Sequence, residues 1–90
     1  MKQTTTRATT PQQMLGILLH NRRQELRSQP GRVAALIGCQ TRTVEIAERG
    51  QLPGREVTQQ IIKALYPRGN IPQNVEQALN ESFPQAVSAQ

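Results

Sequence analysis

Ninety residues, 36% hydrophobic but only 2% aromatic, with a formal net charge of +5, allow one domain whose core is built from Leu, Ile, Val and Ala. So few aromatic and strand-forming runs argue against a β-sandwich and for short helices packed face to face. The single Cys39 excludes an intrachain disulfide, no His/Cys cluster offers a metal site, and no apolar run approaches the roughly 20 residues that span a bilayer.

All eleven Lys and Arg fall in residues 1–69, whereas residues 70–90 hold two Glu and no base. A basic body with a mildly acidic end suits a polyanionic partner, although a basic protein without such a partner has the same balance.

Residues 1–10, MKQTTTRATT, read as a flexible basic arm carrying Lys2 and Arg7, either laid along a polyanion or loose. They lack the apolar stretch of a signal peptide, so the expected compartment is the cytoplasm. A first helix starts at Pro11 with Thr10 as its N-cap, and proline is tolerated there because its missing N–H would have had no partner. Leu15, Leu18, Leu19, Arg22 and Leu26 follow at helical spacing, and Arg22, Arg23 and Arg27 cluster where cations complement the helix dipole. Gly16 lowers helix propensity, and close packing is one reason to keep it.

Pro30 opens a second helix with Gln29 or Ser28 before it, and Val33, Ala34, Leu36 and Ile37 form its inner face. Gly38 ends it by taking the left-handed conformation. A third helix runs from Thr41 to Arg49. At 100° per residue, Thr43, Val44, Ala47 and Glu48 share its inner side, and Arg42, Glu45, Ile46 and Arg49 share the outer side. After the turn Gln51-Leu52-Pro53-Gly54, Val57, Ile61, Ala64 and Leu65 make a fourth amphipathic helix. A fifth, capped by Asn70 and starting at Pro72, carries Val75, Ala78, Leu79 and Phe83 on one face and stops at Pro84. The domain is thus 11–83, and 84–90 reads as a flexible tail.

Residues 30–50 hold a small residue at Ala34, where two helices would cross. A turn glycine follows four residues on, at Gly38, and an aliphatic anchor six further, at Val44. That is the spacing of a helix-turn-helix, whose second helix enters a DNA groove.

On VAALIG (33–38), TV (43–44) and ERG (48–50), with Leu15-Gly16, Leu19 and Arg23 in the first helix, the chain resembles the lambda-repressor and Cro family, also called the XRE family. The likeness spans Leu15 to Leu65. It implies an all-α bundle of about five short helices that binds a short palindromic operator as a dimer. The acid Glu48 on the inner side of the third helix matches a position that in the family commonly pairs with the position of Arg23, which would relieve the cost of burying a charge.

The side chains left to read bases in the major groove are Gln40, Thr41, Arg42, Glu45 and Ile46. Arg42 suits a bidentate contact to guanine, with a phosphate contact as its alternative. Glu45 accepts from a cytosine amino group or is merely solvated or repulsive. Ile46 touches a thymine methyl or is a partly covered surface residue, and Thr41 reads a base or only caps the helix. Gln40, close to the same helix end, touches a base or a phosphate. Gln29, Arg32, Arg49 and Arg55 are candidate phosphate contacts. The family's usual polar residue at the start of the second helix is replaced by Pro30, and Gln29 stands in for it. Val75, Leu79 and Phe83 are a candidate dimer surface, unless they close the monomer's own core. Cys39 is expected in the core, and His20 solvated on the first helix.

The function expected is a sequence-specific transcriptional regulator, a repressor of a phage, plasmid or other mobile-element promoter. The alternatives are an autoregulating antitoxin with a toxin partner and a protein–protein adaptor. No acid pair, Ser/His/Asp set or phosphate-binding glycine loop suggests an enzyme, and no cofactor or metal is expected.

Overall fold

The computed structural model describes residues 10–83. The expected tail over 84–90 and, apart from Thr10, the expected arm lie outside the described residues. Five helices follow in chain order, and no strand occurs among the described residues: α1 (Pro11–Glu25), α2 (Pro30–Ile37), α3 (Thr41–Glu48), α4 (Arg55–Leu65) and α5 (Gln73–Ser82). The all-α bundle of five short helices expected from the sequence is the observed architecture.

Local chemistry sets the helix ends. At the start of α1 the Thr10 hydroxyl accepts from the Gln13 N–H at 3.1 Å, and Gln13 Oε1 accepts from the Thr10 N–H at 3.2 Å. This reciprocal box satisfies two donors that the first turn would otherwise leave open. Pro11 follows at the first helical position. At the other end, the Ser28 N–H donates to Arg23 O and the Arg27 N–H to Gln24 O, with Arg27 at φ 55°. Such a reversal normally uses glycine, because a Cβ in the left-handed region costs roughly 1–2 kcal/mol. Arg27→Gly is therefore expected to stabilise the protein by about 0.5–1 kcal/mol in urea unfolding, once the added freedom of the unfolded chain is deducted. A loss of stability would mean that the Arg27 side chain holds something its exposed position does not suggest.

α2 begins at Pro30 and is capped by Gly38, φ 76°, as the sequence predicts. The Gly38 and Cys39 N–H groups both reach Ala34 O, and the chain turns into α3 after Gln40. The core is Leu15 and Leu19 from α1, Val33 and Ala34 from α2, and Val44 and Ala47 from α3. Ile61, Ile62, Leu65 and Tyr66 meet these from α4 and its end, and Val75, Ala78 and Leu79 from α5. Each fully buried Leu, Ile or Val contributes about 1.5–3 kcal/mol relative to an exposed one.

Gly16 lies where α1 crosses the end of α3. A Cβ there would meet Ala47 O and Glu48 O at 2.8 Å and Gly50 N at 2.9 Å. The close packing suggested by the weak helix former is thus a backbone-on-backbone contact. Two arginines tie helix ends together. Arg22 Nε donates to Leu65 O at 2.9 Å, and its guanidinium lies 4.4 Å from the Tyr66 ring centroid. Arg55 Nη1 donates to Phe83 O at 3.0 Å.

Several expectations are corrected. Val75 and Leu79 are buried, and Phe83 packs against the same core. The face expected to form a dimer therefore closes the monomer's own core, because α5 lies along α1. Leu36 is 64% and Leu26 42% exposed. The stripe that α2 buries runs through Val33, Ala34 and Ile37, leaving Leu36 beyond its edge, and Leu26 falls at the cap of α1, past the packed turns. Asn70 does not cap α5: the Val75 and Glu76 N–H groups reach Pro72 O, which opens the ladder. α3 ends at Glu48, one residue early, with Arg49 as its cap.

Candidate nucleic-acid interface

The outer side of α3 follows from its sequence period. Val44 and Ala47 are buried and turn the helix so that Arg42 and Glu45 are exposed, with Arg49 exposed just past its end and Ile46 half-buried. Gln40 and Thr41, at its start, are exposed as well. Val44 meets the core that Val33 and Ala34 supply, so the two helices position each other.

The starts of α2 and α3 lie side by side. A Cβ on Gly31 would stand 3.4 Å from Thr41 Oγ1. Gln29 and Gln40, the two N-cap residues, are both extended, and neither side chain bonds back to its helix. Two helix N-termini, each with first-turn N–H groups lacking a side-chain partner, thus open in one region. Pro30 lacks an N–H but occupies the first helical position, where none is needed. The glutamine amides and the N–H groups suit oxygen-rich anions, favoured further by the positive end of the helix dipole.

Arg32, Arg42 and Arg49 are exposed, and among the described residues none enters an ion pair. Arg55 differs. The sequence makes it a candidate phosphate contact, but its guanidinium is engaged by Phe83 O and, at 3.5 Å, by Asn80 Oδ1. It acts as a brace between α4 and the end of α5.

Beneath α3, Arg23 Nε donates to Glu48 Oε2 at 2.6 Å and Arg23 Nη2 to Glu48 Oε1 at 3.0 Å. The two side chains are only 13% and 9% exposed. Arg23 Nη1 also donates to Ser28 O at 2.8 Å, so one guanidinium joins the end of α1, the turn before α2 and the end of α3. The ion pair expected between Arg23 and Glu48 is present, in the two-pronged geometry that gives arginine its advantage over lysine. Burial pushes the Glu48 carboxyl up, but the Arg23 and His20 hydrogen bonds outweigh it and hold the carboxyl below the ordinary range. The Glu48 hydrogen bond raises Arg23 in turn, against burial.

His20, expected in solvent, joins this cluster: its Nδ1 lies 2.9 Å from Glu48 Oε1. A carboxylate only accepts, so Nδ1 carries the proton in that contact. Sequence reasoning missed it because His20 and Glu48 lie 28 residues apart and meet only when α1 crosses α3. A shallow groove lined by Pro30, Glu45 and Arg49 runs over the cluster, linking it to the outer face of α3.

Cys39 is half-buried against the core, its Sγ 3.5 Å from Gln40 O. Among the described residues no group of three or more His, Cys, Asp or Glu is placed to hold a metal, and no helix is long and apolar enough to cross a membrane. No protein-family model, characterised protein or solved structure matches the chain.

Proposed function

We propose that the protein is a sequence-specific double-stranded DNA-binding regulator, a repressor that acts by occupying its operator with α3 in the major groove. The observation that supports this best is the convergence of two helix N-termini, Gln29 and Gln40, and the unpaired Arg32, Arg42 and Arg49 around one exposed helix face. Unpaired cations gathered on one side suit a polyanionic partner. The resemblance to lambda-repressor and Cro proteins points the same way.

The roles divide by position. Arg42, in the first turn of α3, is assigned to a guanine edge, with Gln40, Thr41, Glu45 and Ile46 as the other base-facing groups. Arg32, Arg49 and Gln29, at the margins, are assigned to phosphates and set the register of the helix in the groove. The His20–Arg23–Glu48 cluster fixes the angle of α3 without touching DNA.

Selection from a random DNA pool tests the reading. The expected product is a palindrome with half-sites about one helical turn, roughly 34 Å, apart; no enriched motif would overturn the proposal. On the selected site, Arg42→Ala is expected to relax preference at one position per half-site, at a cost of about 1–3 kcal/mol there. Arg49→Ala is expected to weaken all sequences alike and to lower the slope of log affinity against log salt by about 1. Equal effects from both variants would sink the division of roles.

A further inference from the structure

The outer face of α4 is left without a partner among the described residues. Glu56, Gln60 and Lys63 are exposed along it, and neither Glu56 nor Lys63 enters an ion pair there. The acid and the base stand two helical turns apart, on the same side and about 10 Å from each other along the axis. Beside them Val57 and Ala64, at the same spacing, are only half-buried. The groove between α4 and the end of α2 is lined by Leu36, Ile37, Gln60, Lys63, Ala64 and Pro67. Leu36, at 64% exposure, is the most exposed large apolar side chain of the described residues.

We infer that this face of α4 pairs with the same face of a second copy, antiparallel, about a two-fold axis near Gln59 and Gln60. In a two-fold interface, if residue i faces residue j, then j faces i. Glu56 and Lys63 lie at equal distances on either side of that axis. Glu56 of each copy therefore faces Lys63 of the other, and both ion pairs form together. A parallel pairing would instead set acid against acid and base against base. Leu36 and Ala64, next to the charged row, give the contact its apolar edge.

The surface is short compared with the roughly 1,600 Å² of a standard stable interface, which places this dimer among the weak, concentration-dependent ones. None of its residues belongs to α3 or to the start of α2. The inference therefore stands or falls independently of DNA binding, and it is tested on the protein alone.

The test is sedimentation of the full chain at low salt from about 1 µM to about 1 mM, spanning the affinities of weak association. The wild type is expected to pass from monomer to dimer over this range. E56K and K63E are each expected to raise the dissociation constant at least about tenfold, since like charges then face each other, with helical circular dichroism unchanged. An equimolar mixture of the two variants sets opposite charges at both contacts again and is expected to recover association as a heterodimer. A wild type that stays monomeric throughout, a dimer indifferent to both reversals, or a mixture that fails to recover would each overturn the proposal.

Discussion

Glu48→Ala is expected to destabilise the protein by about 3 kcal/mol, because removing one partner of a buried ion pair strands the other. The stranded group is the Arg23 guanidinium, 13% exposed, which would lose both carboxylate oxygens and keep Ser28 O, with the neutral His20 Nδ1 3.3 Å from Nη2 as a second, uncharged acceptor. For a domain of this size such a loss lowers the melting temperature by on the order of 15 °C. It is a large share of the 5–15 kcal/mol that holds a typical domain folded. The pH dependence carries the same signature. The Glu48 carboxyl titrates below its ordinary range in the folded protein, so its contribution is complete above the unfolded value of about 4.3 and is lost as pH falls through the folded one. The gap between wild type and E48A, measured by urea unfolding, should therefore be widest near neutrality and narrow steadily below about pH 4. A gap that stays constant into acid would mean that the ion pair is not what the substitution removes.

Gly16→Ala should cost about 3 kcal/mol, the upper end of overpacking. In an ordinary helix interior the same change gains about 0.8–1.0 kcal/mol, so here even the sign is diagnostic. The new methyl would press on Ala47 O, Glu48 O and Gly50 N. All three are backbone atoms, so no side chain can swing aside, and α1 must lift away from α3. Thermal unfolding checks the size of the loss, and amide exchange of the last turn of α3 checks where it falls. An alanine variant as stable as the wild type would contradict the observed approach of the two helices.

These two residues also mark the boundary of what the sequence discloses. Thr10, Pro11, Pro30 and Gly38 act through their own backbone or their next few neighbours, so the helix ends they set are readable locally. The inner side of α3 is readable for the same reason: one turn of helix relates Val44 to Ala47 and fixes the exposure of Arg42 and Glu45. Contacts between distant segments are another matter. From the sequence Gly16 is a weak helix former for which close packing is one reason, and only the crossing of α1 over α3 shows what it packs against. His20 reads as solvated because its acceptor is 28 residues away, and the family resemblance bears on Arg23 and not on the histidine one turn before it. Arg55 is the phosphate candidate beside the apolar turn Leu52-Pro53-Gly54, yet α5 brings Phe83 O to it.

The sequence leaves Val75 and Leu79 open between a dimer surface and the monomer's core, and places Leu36 inside, for a further reason. Periodicity finds an apolar stripe but not what covers it. α5 spends its stripe on its own monomer, while α2 has more apolar residues than its neighbours can cover, and Leu36 is left over.

The joint made by Arg22 and Tyr66 has a practical consequence. The chain contains one tyrosine and no tryptophan, so its emission at tyrosine wavelengths comes from one ring, at the end of α4 and beneath the Arg22 guanidinium of α1. Burial holds the Tyr66 hydroxyl above its ordinary value, against the pull of Arg22, so the ring stays neutral in ordinary buffers. The molecule therefore carries a built-in optical gauge of a single seam. Tyrosine fluorescence follows that seam while amide circular dichroism follows all five helices, and any difference between the two melting curves would reveal a bundle that opens in stages instead of all at once.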